Sequence, residues 1–220
     1  MRFYHFANRV LKFLFWILLR YQVRGVERVP LEGPLIICTN HTTFLDPLMV
    51  GVFVPRDVVA MSKLENFRMP VIGLLSQLYG AFPIKRGEVD RQALRRAEEV
   101  LEEGKVLLMA PEGTRSRTAR LQRAHQGTAL LVQHTGARVL PVGLYGGHKL
   151  FRKLIRLRRT PVWMNIGEPF EARLPAGLPK KEARELITEQ IMYRIAALLP
   201  KEYRGVYGDE RRLSQLVGER

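Results

Sequence analysis

Short apolar segments of strand length alternate along the chain with longer segments of helical periodicity. The segments at 90–103, 125–135 and 180–199 repeat apolar residues at three- and four-residue intervals, which is typical of amphipathic helices. This alternation predicts a mostly parallel, mixed sheet with helices packed on its faces. We therefore assign the chain to the α/β class. The predicted strands are 35–39, 58–61, 82–84, 106–109, 139–144 and 161–166.

The length of 220 residues fits a single domain. We expect three segments: an N-terminal helix over 1–24, the folded domain over 25–200 and a polar tail over 201–220. Nine of the last 20 residues are charged, so we expect the tail to be loosely held.

The N-terminal helix is predicted to lie in a membrane interface. Arg2, His5, Arg9 and Lys12 recur on one side of it, and aromatic and aliphatic residues occupy another. The apolar run over 13–19 is far shorter than the roughly 20 residues that span a bilayer. An ordinary helix packed on the domain is the alternative interpretation.

A large excess of positive charge indicates an acidic partner. The chain has 36 Lys and Arg against 21 Asp and Glu, a net charge of +15. Five cations lie within 152–159, a stretch that could join the N-terminal helix on an anionic bilayer, dock an acidic acyl carrier protein, or form a solvated edge. Cys38 is the single cysteine, which excludes an internal disulfide and thiolate-built metal clusters.

His41 and Asp46 are candidate catalytic residues because they follow the first predicted strand. Five helical residues would turn the two side chains about 140° apart, so they meet only if this segment is a turn. A carboxylate would then orient the imidazole as a general base for a substrate hydroxyl. The alternative is that Asp46 merely caps a helix opened by Pro47, and His41 is a loop residue.

Two further loops fall at the carboxyl ends of strands, where α/β proteins bind ligands. Residues 110–117 combine proline, glycine and hydrogen-bond donors, and residues 85–87 read Lys-Arg-Gly. Such loops could hold a phosphate, although a solvated surface with internal salt bridges is the alternative.

Together these segments resemble the glycerolipid acyltransferase family, which includes 1-acylglycerol-3-phosphate acyltransferases. The likeness covers about residues 25–170. It is carried in order by Asn-His and a following Asp at 40–46, an apolar strand running into arginine at 82–86, Pro-Glu-Gly-Thr-Arg-Ser at 111–116 and Leu-Pro-Val at 140–142.

The resemblance implies transfer of an acyl group from a thioester of coenzyme A or acyl carrier protein to the hydroxyl of lysophosphatidic acid. It implies His41 as the base, Asp46 as its orienting partner, and no metal or redox cofactor. With the N-terminal helix and the basic stretch, we expect a peripheral or monotopic protein on the cytoplasmic face of the cell membrane, with an anionic membrane surface and no nucleic acid as partner. The implied substrate-binding residues are Asn40, Arg86, Glu112, Gly113, Thr114 and Arg115.

The chain departs from the family pattern at two places, Ala110 and the segment 124–127. The latter reads Ala-His-Gln-Gly where Phe-Lys-x-Gly is common, and His125 could replace the lysine only when protonated. Two other functions stay open at this point. One is acylation of another lyso-glycerolipid or a lyso-aminolipid, and the other is non-catalytic binding of nucleic acid or anionic lipid.

Overall fold

The computed structural model describes residues 2–84, 90–156, 158–172, 174 and 177–218. Within this part of the chain, strands and helices alternate as the sequence predicts. The strands are β1 (Leu19–Arg24), β2 (Leu35–Thr39), β3 (Val58–Lys63), β4 (Phe82–Ile84), β5 (Val106–Met109), β6 (Arg138–Tyr145) and β7 (Thr160–Ile166). The helices are α1 (Arg2–Leu18), α2 (Leu45–Phe53), α3 (Pro70–Leu78), α4 (Arg91–Glu102), α5 (Gly127–Thr135), α6 (Leu150–Leu154), α7 (Lys180–Ala197) and α8 (Glu210–Gly218).

The described strands form one seven-stranded sheet in the order β1-β7-β6-β2-β5-β3-β4. Neighbouring strands run parallel except β6 and β7, which pair antiparallel. The predicted α/β class and mostly parallel mixed sheet are confirmed. β2 lies at the centre, so the loop that follows it leaves from the middle of the sheet's carboxyl edge.

The central strands are apolar on both faces because helices cover both sides of the sheet. In β2, Ile36 and Cys38 point into the cluster packed by α4, α5 and α7. Leu35 and Ile37 point into the opposite cluster, which α1 and α2 cover. A strand buried on both faces has a continuous hydrophobic sequence, and this is the pattern of residues 35–39.

The N-terminal helix is shorter than the predicted segment 1–24. It ends at Leu18, and residues 19–24 form β1, which pairs in parallel with β7. Leu19 is buried whereas Arg20, Gln22 and Arg24 have higher exposure than the residues before them, a two-residue period typical of a strand. The apolar run over 13–19 extends from the helix into the strand, so the sequence pattern does not mark the boundary between them.

The C-terminal residues are also more ordered than expected. Residues 201–203 and 205–207 form short 3-10 turns, and α8 follows them. Tyr203, Tyr207 and Leu213 pack against the core cluster below α7. Charged residues at 201, 202 and 209–211 are exposed, so composition alone does not indicate the order of this segment.

No helix in the described ranges has the length and apolar character needed to cross a bilayer.

Candidate active site

The loop after β2 starts with a buried amide that ties two central strands together. Asn40 is 2% exposed. Its Nδ2 donates to the carbonyl oxygen of Leu144 at 2.7 Å, and its Oδ1 accepts from the backbone N–H of Leu144 at 2.8 Å. Both ends of the amide are thereby used by β6, so Asn40 fixes where the next residue leaves the sheet.

His41 and Asp46 meet, as the sequence predicts for a turn. The Nδ1 of His41 lies 3.1 Å from Oδ2 of Asp46, and the two side chains are 18% and 5% exposed. The same carboxylate accepts from the backbone N–H groups of Thr42 and Thr43 at 2.6 and 2.7 Å, and from Oγ1 of Thr43 at 2.9 Å. An almost buried carboxylate with this many donors holds the imidazole in one orientation.

The expectation that Asp46 caps a helix opened by Pro47 is wrong, because the helix begins two residues earlier than predicted. α2 begins at Leu45, so Asp46 already lies in the first turn. Its side chain binds the two N–H groups of Thr42 and Thr43, which precede the helix. These bonds close the turn and bring the imidazole back over it. Asp46 therefore closes the turn and orients His41, and it does not cap α2.

The loop after β5 forms hydrogen bonds with both the N–H and the carbonyl oxygen of His41. Oε1 of Glu112 accepts from the N–H of His41 at 3.0 Å, and the N–H of Ser116 donates to the His41 carbonyl oxygen at 2.7 Å. Oε2 of Glu112 accepts from the N–H of Gln122 at 2.9 Å. Burial raises the pKa of Glu112, and the hydrogen bonds from His41 and Gln122 oppose that rise.

The structure gives two of the predicted substrate-binding residues another role. Asn40 and Glu112 are each 2% exposed and use their side chains on backbone groups, so they shape the site from behind and do not present themselves to a ligand. Gly113 and Thr114 line the same pocket as His41. Arg115 follows on the exposed surface of the loop. Arg86 lies outside the described residues.

Position 113 favours glycine because of its backbone conformation and because the ring of His125 lies close to it. Its φ is +67°, and a Cβ at this position would approach Cδ2 of His125 to 2.9 Å. The N–H of Gly113 donates to the carbonyl oxygen of Ala110 at 2.9 Å. The N–H of His125 donates to the carbonyl oxygen of Pro111, also at 2.9 Å. His125 therefore packs against the turn and lines the pocket.

A pocket of about 1310 Å³ opens beside His41 and runs between the sheet edge, α4 and α5. Its volume exceeds that of most small-molecule sites, which are about 300–1,000 Å³. The polar lining includes Lys63 and Arg184, which no sequence motif indicates, and Gln126 from the segment 124–127. They come from separate elements, and only the fold brings them together. The apolar lining is formed by Ala60, Met61, Leu64, Ile84, Leu94, Leu108, Met109, Leu130 and Leu131.

Among the described residues, no three His, Cys, Asp or Glu side chains are grouped as a metal site would require.

Comparison with known proteins decides the family of this site. A family model described as acyltransferase matches residues 20–145, which is more than half of the chain and includes His41, Asp46 and the loop after β5. The chain belongs to the acyltransferase family. This confirms the family resemblance and the assignment of the protein as an enzyme.

Individual relatives of this acyltransferase extend the match. The 1-acyl-sn-glycerol-3-phosphate acyltransferase of Bacillus subtilis is 28% identical over 200 residues, covering 89% of this chain and 96% of that protein. A chloroplastic enzyme of the same name from Arabidopsis thaliana is 29% identical over 153 residues, covering 68% of this chain. The aligned part spans only 43% of the plant protein's length.

A solved structure shares the fold. The crystal structure of the 1-acyl-sn-glycerophosphate acyltransferase PlsC from Thermotoga maritima superposes with a TM-score of 0.63 at 25% identity. The superposition covers 87% of this acyltransferase and 78% of that chain.

Proposed function

We propose that this acyltransferase moves a fatty acyl group from an acyl thioester to the free hydroxyl of 1-acylglycerol-3-phosphate, producing phosphatidic acid. The observation that carries the proposal is the His41–Asp46 pair, 3.1 Å apart, at the rim of a large pocket with a mainly aliphatic lining. The names of the Bacillus subtilis and Thermotoga maritima relatives support this acceptor.

His41 is the general base of the proposed reaction. Asp46 accepts a hydrogen bond from Nδ1, which leaves Nε2 to take the proton of the acceptor hydroxyl. The oxygen then attacks the thioester carbon, and a carbon–oxygen bond forms. When the intermediate collapses, the carbon–sulfur bond breaks and the thiolate receives the proton from Nε2. His41 returns to its neutral form, and Asp46 stabilises the imidazolium in between.

The pocket supplies complementary surfaces for the two parts of the substrates. The aliphatic side chains from β3, β5, α4 and α5 suit an acyl chain, because burying each methylene is worth about 0.8 kcal/mol. The turn at Gly113 and Thr114, with Arg115 beside it, suits the phosphate of the acceptor. We assign Arg86 to the same phosphate on the basis of its motif alone. The acyl donor in this proposal is coenzyme A or acyl carrier protein.

The proposed location is the cytoplasmic face of the cell membrane, with α1 lying on an anionic surface. The outer side of α1 exposes Phe6, Phe13 and Trp16 at 61%, 59% and 60%. Arg159, at the end of the basic stretch 152–159, donates to the carbonyl oxygens of Trp16 and Leu19 and so joins that stretch to the helix. Aromatic side chains beside cations are typical of helices that bind anionic lipid surfaces.

The test compares purified wild-type protein with His41→Ala, using radiolabelled acyl-coenzyme A, acyl carrier protein thioester and a panel of lyso-lipids. Removal of a general base should lower turnover by about 10²–10⁴-fold. The matched control is His134→Ala, because His134 lies on α5 and its Nδ1 contacts the surface residue Glu98 at 3.2 Å. The control should retain wild-type activity.

Three results would contradict the proposal. Equal turnover in His41→Ala would remove His41 as the base. Turnover on another lyso-lipid or lyso-aminolipid, with none on 1-acylglycerol-3-phosphate, would replace the acceptor while keeping the reaction class. Salt-sensitive nucleic-acid binding without turnover on any acceptor would favour a non-catalytic role.

A further inference from the structure

Residues 200–208, which we call the C-terminal strap, lie across the loop formed by residues 119–126. The N–H of Leu121 donates to the carbonyl oxygen of Tyr203 at 2.9 Å, and the N–H of Val206 donates back to the Leu121 carbonyl oxygen at 3.3 Å. At the other end, Tyr207 Oη accepts from the N–H of Ala124 at 3.1 Å. The strap lies beyond the part of the chain that the family model matches.

The backbones of strap and loop come close together at Gly205. Its φ is +52°, and a Cβ built there would lie 2.0 Å from the carbonyl oxygen of Leu121. Real side chains do not tolerate such a distance, so only glycine allows the two backbones to pass this closely. The strap therefore contacts the loop through its main chain at this point.

The strap itself is firmly attached to the domain. Nε of Arg204 donates to the Leu199 carbonyl oxygen at 3.0 Å, and the guanidinium, 13% exposed, also pairs with Glu210 of α8. Lys201 contacts the same carboxylate at 3.0 Å. Tyr193 of α7 meets the ring of Tyr207 edge to face. The strap can thus act as a fixed support for the loop.

The supported loop leads directly to the catalytic histidine. Gln122 lies between the two strap contacts, and its N–H donates to Oε2 of Glu112 at 2.9 Å. Oε1 of the same carboxylate accepts from the N–H of His41 at 3.0 Å. Each of these contacts is a hydrogen bond to a backbone group. A displacement of the loop therefore shifts Glu112, and with it the backbone of His41.

We infer that the C-terminal strap is a positioning element for His41, acting through the loop at 119–126 and Glu112. In this role the strap holds the imidazole at the correct place relative to the acceptor hydroxyl, and it does not contact substrate. The inference rests on the proposed function for its kinetic consequence. Its structural consequence, the placement of the His41 ring, is independent of which acyl group is transferred.

The experiment uses the full-length protein and compares Gly205→Ala with Gly208→Ala. Gly208 belongs to the same segment but has a φ of −85°, and a Cβ there would come no nearer than 3.4 Å to another residue, at the Gly205 oxygen. Both variants add one methyl group to the strap. Only the first forces the strap away from Leu121.

We expect Gly205→Ala to lower kcat about tenfold to a hundredfold with KM nearly unchanged, because a displaced base impairs the chemical step. Gly208→Ala should remain within about twofold of wild type, a margin of about 0.4 kcal/mol. Equal kcat in the two variants would overturn the inference, as would a loss confined to KM.

A second measurement separates this inference from the proposed function. The chain has five histidines, so the imidazole carbon and proton signals are few enough to assign by NMR, with His41→Ala identifying the catalytic ring. Gly205→Ala should shift the His41 signal and leave that of His134 in place. An unchanged His41 signal overturns the inference even if the acyl acceptor proves to be a different lipid.

Tyr207→Phe provides a less disruptive test of the same contact between strap and loop if Gly205→Ala does not fold. It keeps the ring against Tyr193 and removes only the oxygen that accepts from Ala124. We expect about a threefold loss of kcat, which is the scale of one weak neutral hydrogen bond. A His41 signal and kcat identical to those of wild type would contradict the inference.

Discussion

The catalytic loop and the N-terminal helix are held by the domain in opposite ways. In the loop, the amide of Asn40, the carboxylates of Asp46 and Glu112 and both backbone groups of His41 are bonded within the protein. α1 is bonded to the domain near its start, where Tyr4 and Asn8 donate to the Gly51 carbonyl oxygen, and at its end, where Arg159 donates to the Trp16 carbonyl oxygen. Its outer side leaves large apolar side chains exposed.

The difference separates two kinds of function. A reaction that depends on tenths of an ångström needs a base held in place by hydrogen bonds, since a loose base loses the near-attack geometry. A surface with unburied aromatic residues is stabilised by whatever covers it, and soluble proteins seldom expose such patches without a partner. The active-site loop is thus held by hydrogen bonds from within the fold, whereas the outer side of α1 leaves apolar side chains uncovered.

The largest expected effect lies on the loop side. Asp46→Asn should lower kcat by about 10²–10³-fold, because the imidazolium formed during proton transfer loses its negative partner. The measurement is turnover of the proposed substrates together with vesicle flotation. Flotation should match wild type, since the change does not touch α1. A parallel loss of both properties would contradict the separation of the two regions.

The next effect is confined to α1. Phe13→Ser and Trp16→Ser should each weaken flotation on anionic vesicles about tenfold, because withdrawing such a side chain from an apolar boundary loses about 1.5 kcal/mol. Activity on detergent-dispersed substrate should not change. Leu31→Ser is the matched control, as Leu31 is 71% exposed in the loop before β2. If Leu31→Ser weakens flotation equally, the proposed membrane surface is not specific to α1.

The smallest effect concerns how α1 is fastened to the domain. Tyr79 Oη donates to Oδ1 of Asn8 at 2.6 Å, and burial, with a lesser contribution from Tyr4, raises the pKa of Tyr79 to about 12. The unfolded chain loses this proton near pH 10, so the native state keeps more protons above that value. The stabilisation is complete below pH 10 and is lost as the pH rises through about 12.

Urea unfolding at about pH 9 and about pH 11, either side of the ordinary tyrosine pKa, checks this sign. The wild-type midpoint should fall more between the two values than that of Tyr79→Phe, which has no proton to lose. Tyr21→Phe is the control, since the ring of Tyr21 contacts Phe53 on another part of the domain. Parallel declines in wild type and Tyr79→Phe would show that this hydroxyl does not contribute to the pH dependence.

Local patterns in the sequence predict much of the fold and the centre of the site. Apolar runs such as 35–39 and 106–109 are strands because they are buried on both faces, and this can be recognised without tertiary knowledge. The meeting of His41 and Asp46 follows from five residues of turn. The role of Glu112 could not be predicted, because its partner is a backbone N–H 71 residues away. A backbone donor leaves no signal in side-chain composition.

Two boundaries could not be predicted for a related reason. Leu18 and Leu19 are equally apolar, but one ends a helix and the other starts a strand whose position is fixed by pairing with β7. The charged residues after Pro200 resemble a loose tail, yet their backbone is fixed by Leu121. In both cases contact with a segment distant in sequence determines the conformation. Hydropathy within a short stretch of sequence carries no information about that contact.

The direct junction between α1 and β1 restricts the angle at which the enzyme would meet the proposed lipid surface. No residue separates the helix from the strand, and β1 is hydrogen-bonded along its length to β7, so α1 has no hinge about which to swivel. A bilayer that accepts the helix therefore also fixes the tilt of the sheet. The mouth of the pocket would then lie at the same height above the lipid headgroups in every docked molecule. A lysolipid would have to move the same distance out of the bilayer each time to reach the pocket.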